Sequence, residues 1–132
     1  MRMIFVNLAV DSIPETRAFF SALGFSFNPQ FSDDSTLCLV IEENIFAMLM
    51  TKEKFEGFSV RPVSDAHRQT EVLLSLSAPS REAVDEMLQK ALAHGGKPWK
   101  PTADLGFMVN ASFEDPSGHV WEVVWMDPAH IQ

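Results

Sequence analysis

An acidic side chain lies inside the most apolar run of the sequence. Glu122 follows Val120 and Trp121 and is followed by Val123 and Val124. Burial of an unpaired carboxylate in such surroundings is prohibitively costly in free energy. A glutamate at this position therefore either faces a solvated cavity or is paired, and we predict that Glu122 lines a ligand site.

Glu71 is the second candidate for chemistry, because it opens an extended apolar segment directly after the polar residues 67–70. The alternative is an exposed carboxylate at the start of a strand. If Glu71 and Glu122 are neighbours, their repulsion favours one protonated and one ionised group, which would supply an acid and a base in one pocket. We therefore predict these two glutamates as the catalytic residues, suited to proton transfer beside a carbonyl and equally to binding of a cation.

The elements that must position these residues occur twice in the chain. An extended run at 5–10 is followed by an amphipathic helix pattern that ends at Gly24, and the same order returns from Glu71 to Gly95. Three short extended segments follow each copy. The two copies are offset by 66 residues, from Phe5 to Glu71. A repeat of this length is too long for a solenoid unit and too short for an independent domain, so two copies are expected to build one pseudo-symmetric body. The sequence predicts an α+β fold of two βαβββ modules.

Residues 1–132 are predicted to form a single domain, with module one at about 1–51 and module two at about 71–127. The intervening residues 52–70 are charged and lack a period, and we interpret them as a connection that could close over a ligand. Helices are predicted at 12–24 and 80–94, further strands at about 25–31, 37–42, 45–51, 97–102, 106–114 and 119–126, and hairpin turns at 33–35 and 43–44.

The composition is that of a soluble globular protein, with 46% hydrophobic and 21% charged residues. A formal net charge of −8 disfavours nucleic acid and anionic membranes as partners. The apolar run after Met1 is too short to cross a bilayer and alternates like a strand, so we predict neither a membrane span nor a signal peptide. The lone Cys38 cannot form an internal disulfide and fits a cytoplasmic location.

Two motifs resemble a known family. Asp115-Pro-Ser-Gly118 followed by His-Val-Trp-Glu122 is similar to the D-P-x-G-x-x-x-E signature of the vicinal oxygen chelate superfamily, and Phe19-Phe20 with Leu23-Gly24-Phe25 is similar to its F-Y-x-x-L-G-F helix. The superfamily includes glyoxalase I, extradiol dioxygenases, fosfomycin-resistance thiol transferases and bleomycin-binding proteins. The resemblance, which covers nearly the whole chain, implies a curved mixed sheet around a cavity.

The resemblance also implies a metal site with one ligand from each of four strands. The corresponding positions of this chain are Phe5, Met48, Glu71 and Glu122. Phenylalanine cannot bind a metal, and a thioether is a poor ligand for hard divalent ions. We therefore predict no resident cofactor, since the two glutamates form at most an open half-site that would hold a divalent metal weakly. His119 is interpreted as a solvent-exposed turn residue.

Other residues alternate along the predicted strands so that they share a face with the four implied metal positions. These residues predict an apolar pocket that is rich in methionine and aromatic side chains. The alternative is that these residues pack as core, which we expect for about half of them. The predicted ligand-binding residues are Phe5, Asn7, Phe46, Met48, Met50, Leu73, Ser75 and Val124.

Two functions follow from the resemblance and stay open at this point. One is an enzyme of the lyase, isomerase or dioxygenase kind, which acts on a small carbonyl or aromatic compound through Glu71 and Glu122. The other is a metal-free protein that binds and sequesters a small cationic or aromatic molecule. The incomplete ligand set favours binding, whereas the overall similarity to predicted glyoxalases favours the enzyme.

We predict a homodimer, because isologous pairing would cover the edge strands that two small modules leave exposed. Sedimentation at micromolar concentration should give a species of about twice the 14.8 kDa chain mass. A single species at the mass of one chain would contradict this prediction.

Overall fold

The computed structural model describes residues 1–130 of the chain. The chain divides into two compact units, residues 1–65 and residues 66 onward. Each unit contains one open sheet with at least one α-helix packed on it, which confirms the α+β class. Among the described residues, no helix has the length and apolar character needed to cross a membrane.

The first unit begins with a strand, a helix and three further strands, in the predicted order, and ends with a short helix. Its elements are β1 (Ile4–Val10), α1 (Ile13–Ala22), β2 (Ser26–Phe27), β3 (Thr36–Glu42), β4 (Ile45–Thr51) and α2 (Lys52–Glu56), with a 3-10 turn at Pro29–Phe31.

The second unit repeats this order with one additional strand after its helix. Its elements are β5 (Leu73–Ser77), α3 (Arg81–Ala93), β6 (Lys97–Pro98), β7 (Ala103–Asp104), β8 (Met108–Glu114) and β9 (Val120–Met126), with a 3-10 turn at Pro128–His130.

The two sheets share one topology. Strand order is β1-β4-β3-β2 in the first unit and β5-β9-β8-β6 in the second, and β7 also pairs with β8. In each sheet the first strand is parallel to the last one, whereas the remaining pairs are antiparallel. The predicted internal repeat is therefore confirmed at the level of strand order.

Side chains at the N-termini of α1 and α3 cap the two main helices. The Ser12 side chain caps α1 by accepting a hydrogen bond from the backbone N–H of Glu15 at 3.2 Å, and Pro14 lies in the first turn. The Ser80 side chain caps α3 by accepting from the N–H of Ala83 at 3.1 Å. Both predicted helices are thus confirmed.

Alternation along β1 separates a buried face from an exposed face. In β1, Leu8 and Val10 are buried while Phe5 and Asn7 are exposed, as the alternation predicts. Phe19 of α1 is 1% exposed and contributes to the core of its unit. The other fully buried apolar residues include Phe20, Leu37, Leu39 and Leu49 in the first unit, and Val84, Ala91, Ala111, Phe113, Trp121 and Val123 in the second.

The second repeat starts two residues later than predicted. Glu71 and Val72 are exposed and lie outside β5, which begins at Leu73. The reason is its partner strand: the parallel pairing of β5 with β9 begins with Leu73 opposite Val120. The prediction that Glu71 opens a strand was therefore wrong.

Two other predicted elements differ in length. The strand expected at 25–31 is limited to Ser26–Phe27, and a 3-10 turn starts at Pro29, whose nitrogen has no hydrogen to donate to a ladder. The connection at 52–70 is not irregular throughout, because it begins with the five-residue helix α2. Lys54 of α2 fixes this helix to β3 through a hydrogen bond from Nζ to the Thr36 hydroxyl at 2.5 Å.

The strand expected at 97–102 is limited to β6, and a further short strand, β7, follows it. The two pair with opposite ends of β8. An ion pair holds the end of β7: Arg81 Nη1 lies 2.8 Å from Asp104 Oδ2. Arg81 also donates to the carbonyl oxygen of Gly106 at 2.6 Å and lies over the Trp125 ring at 5.1 Å from its centroid. The guanidinium of Arg81 is the main cause that lowers the pKa of Asp104.

Candidate functional site

The Asp115-Pro-Ser-Gly118 turn positions the candidate site, because it joins β8 to the strand that carries Glu122. The Asp115 carboxylate accepts hydrogen bonds from the backbone N–H groups of Ser117 and His119, at 2.9 and 3.0 Å. Its other oxygen accepts from Nε1 of Trp121 at 2.9 Å. Asp115 is only 3% exposed, so these donors offset the cost of burying the carboxylate.

Burial raises the pKa of the Asp115 carboxyl above its usual value, and the neighbouring His119 together with the donated hydrogen bonds opposes that rise. Gly118 is required in the same turn. Its φ is +90°, and a Cβ there would lie 2.9 Å from the backbone nitrogen of His67. His119 is half-buried, so the prediction of a solvent-exposed turn residue was wrong.

The hairpin register places Glu122 between two serines. Its direct neighbours are Ser75 on β5 and Ser112 on β8. The Ser75 hydroxyl donates a hydrogen bond to Oε1 of Glu122. Glu122 is half-buried and has Val120 and Val124 two residues away on the same face of its strand. The carboxylate predicted to be either cavity-facing or paired is thus held by a neutral hydroxyl group.

Ser112 is a site residue that the sequence did not single out. It is 6% exposed, and its hydroxyl accepts a hydrogen bond from the backbone N–H of Lys100 at 3.2 Å. The signal for it was present, because Asn110, Ser112 and Glu114 alternate with apolar residues along β8. Once the turn at 115–118 fixes the hairpin, Ser112 must face Glu122.

Glu71 does not take the place next to Glu122. Ser75 lies opposite Glu122 in β5, and Glu71 precedes Ser75 by four residues, outside the strand. The two glutamates are therefore not cross-strand neighbours, and the carboxylate pair suited to an acid and a base does not arise from the strand register. The predicted residues Leu73, Ser75 and Val124 do share one face of this sheet with Glu122.

The first unit brings its five predicted ligand-binding residues onto one face of its own sheet. Phe5 and Phe46 lie opposite each other with ring centroids 5.0 Å apart and planes inclined by 11°. Asn7 is opposite Met48, and its Nδ2 donates to the carbonyl oxygen of Phe5 at 3.2 Å. Phe5 is 47% exposed, whereas Met50 is 3% exposed. This face is aromatic and apolar at one end and has an exposed amide beside it.

The donors on these faces do not fit the metal site that the superfamily implies. Among residues 1–130, no three or more His, Cys, Asp or Glu side chains form a group that could hold a metal ion. In the first unit, Phe5 and Met48 occupy the implied positions, and the neighbouring Cys38 is a buried thiol whose pKa is raised by desolvation. In the second unit, Glu122 has a serine hydroxyl as its partner.

A family model of the glyoxalase/bleomycin resistance protein/dioxygenase superfamily matches residues 2–123. The chain belongs to this superfamily. The resemblance seen in the Asp115–Glu122 motif is thereby confirmed. No curated protein matches the chain.

Solved structures share the fold at low identity. A hypothetical protein from S. aureus is 24% identical, with a TM-score of 0.80 and coverage of 95% of this chain and 94% of that one. A glyoxalase-related enzyme from Fulvimarina pelagi is 14% identical, with a TM-score of 0.81 and coverage of 95% and 88%. The fosfomycin resistance protein FosX from Listeria monocytogenes is 17% identical, with a TM-score of 0.69 and coverage of 98% and 96%.

The substitution Trp121→Phe should destabilise the protein by leaving one oxygen of the buried Asp115 without its side-chain donor. We expect the free energy of unfolding to fall by about 1–3 kcal/mol, measured by urea denaturation. Trp125→Phe is the matched control, because Trp125 lies on the same face of β9, is less buried and packs against Arg81. Equal losses for the two variants would contradict the role of the Trp121–Asp115 hydrogen bond.

We also predict that the purified protein holds no tightly bound transition metal. Tight zinc or nickel sites need three or four protein donors, usually with imidazole among them. Elemental analysis after mild purification should give far less than one zinc, nickel or iron per chain. Near-stoichiometric metal that disappears in Glu122→Gln would show that this prediction is wrong.

Proposed function

We propose that the protein binds and sequesters a small organic cation at Glu122, without a metal. The observation that carries the proposal is the partial burial of this carboxylate beside a neutral hydrogen-bond donor. Glu122 is half-buried, and its partner is the neutral Ser75 hydroxyl, which fixes the side chain without cancelling its charge. A carboxylate held in this way is prepared to accept a charge-assisted hydrogen bond from a cationic ligand.

The apolar part of such a ligand has surface available beside the carboxylate. Leu73 and Val124 lie on the same sheet face as Glu122, and Leu73 is 50% exposed. Burial of this surface would contribute to affinity in proportion to the apolar area removed from water. The net charge of −8 supports the proposed sign of the ligand, because it raises the local concentration of cations.

The superfamily offers a second candidate function, which is catalysis of the lyase, isomerase or dioxygenase kind. It is favoured by the fold shared with a protein described as a glyoxalase-related enzyme. In that case Glu122 would act as an acid or a base towards the bound molecule. The shared fold with FosX, described as a fosfomycin resistance protein, fits the handling of a small molecule under either candidate.

The substitution Glu122→Gln tests the binding proposal directly. Titration of the wild-type protein with benzylammonium, followed by NMR or calorimetry in metal-free buffer, should give saturable binding. The variant should bind roughly 10- to 100-fold more weakly, because it lacks one charge-assisted hydrogen bond.

Glu82→Gln is the matched control for this titration. It removes the same charge from an exposed position in the first turn of α3, which packs on the other face of the sheet. An equal loss of affinity in both variants would show that the weaker binding comes from the change in net charge and not from the Glu122 site. Absence of saturable binding to the wild-type protein would refute the cation-binding proposal.

A further inference from the structure

The carboxylate of Glu122 is enclosed on both flanks by neighbouring strands. Ser75 lies directly opposite on the parallel side, and Ser112 lies directly opposite on the antiparallel side. Side chains at such opposed positions are in contact range, with Cβ atoms about 4.5–5.5 Å apart. Val120 and Val124 stand above and below it along the strand. A ligand must therefore approach the carboxylate end-on, away from the plane of the sheet.

The two oxygens of this carboxylate are not equivalent. Oε1 already accepts a hydrogen bond from the Ser75 hydroxyl, which also occupies the space on that side. Oε2 is the oxygen that Ser75 does not use. A guanidinium group binds a carboxylate best through two parallel N–H bonds, one to each oxygen. An ammonium group is a compact charge that needs only one oxygen.

We infer that Ser75 makes the site selective for ammonium cations over guanidinium cations. This inference rests on the proposed function, since it assigns the class of cation that Glu122 holds. Ser75 acts here as a positioning residue: its hydroxyl fixes the carboxylate, occupies one side of it, and presents Oε2 to a single N–H donor. The ligand is accordingly an organic amine with an apolar body, and not an arginine-like compound.

The test compares two probes that differ only in the cationic group, benzylammonium and benzylguanidinium, in metal-free buffer at neutral pH. The wild-type protein should bind benzylammonium roughly tenfold more tightly, because the guanidinium loses one of its two charge-assisted hydrogen bonds. In Ser75→Ala the ratio of the two dissociation constants should fall towards one. The ratio is the readout, since a general loss of affinity would leave it unchanged.

Two further variants separate the Ser75 hydroxyl from the mere presence of serine on this strand. Ser77→Ala is the matched control, because Ser77 lies two residues along the same face of β5, opposite Val124 instead of Glu122. It should keep the wild-type ratio. Ser75→Thr retains the hydroxyl group with a side chain that suits a strand, and it should also keep the ratio. Thermal unfolding of each variant verifies that the fold is intact.

Each outcome is decisive. A wild-type ratio near one, with both probes still dependent on Glu122, would overturn the inference and leave the proposed function in place. A ratio that survives in Ser75→Ala would overturn it as well. If neither probe binds the wild-type protein, the proposed function itself fails and the inference fails with it. A ratio of roughly tenfold that is lost only in Ser75→Ala would support it.

Discussion

The parallel pairing of the first and last strands in each unit is the constraint on which the candidate site depends. In the second unit this pairing sets Ser75 opposite Glu122, and in the first it sets Asn7 opposite Met48. Because side chains alternate between the faces of a strand, a slip of one residue would turn Glu122 towards the helix-covered core. The buried residues Trp121 and Val123 oppose such a slip, since they would then face away from that core.

The same topology carries different chemistry in the two units. On the face of the first sheet that carries Phe5 lie a stacked aromatic pair, a thioether and an amide. The corresponding face of the second sheet has a carboxylate between two hydroxyl groups. The superfamily's metal chemistry requires donors from both repeats, and the first repeat offers Phe5 and Met48 at the implied positions. The protein thus keeps the fold of its superfamily with Phe5 and Met48 at two of the implied metal positions.

A buried carboxyl group lies in the turn that precedes the strand of Glu122. Asp115 is desolvated and yet accepts three hydrogen bonds, two from its own turn and one from Trp121. Such a fully satisfied carboxylate fixes the turn in one conformation, because any alternative would leave the group without its donors. This turn also fixes the register of β8 and β9, and that register places Ser112 beside Glu122. The Asp-Pro-Ser-Gly motif is therefore a determinant of site geometry as well as a chain reversal.

The sequence by itself determined the features that depend on local chemistry. The two main helices followed from their amphipathic patterns, the alternation in β1 gave its buried face, and the two motifs gave the superfamily. Glu122 stood out because a carboxylate inside an apolar strand demands an explanation.

The tertiary structure decided the partners of that carboxylate. The sequence suggested Glu71, whereas the fold places Ser75 and Ser112 beside Glu122 and leaves Glu71 outside the sheet. The β5–β9 pairing joins residues that are 47 positions apart in the chain, so no local pattern encodes its register. The ion pair at the end of β7 is likewise non-local, because Arg81 lies 23 residues from its partner Asp104. Contacts between residues distant in sequence are set by packing of the whole unit, and for that reason only the folded chain reveals them.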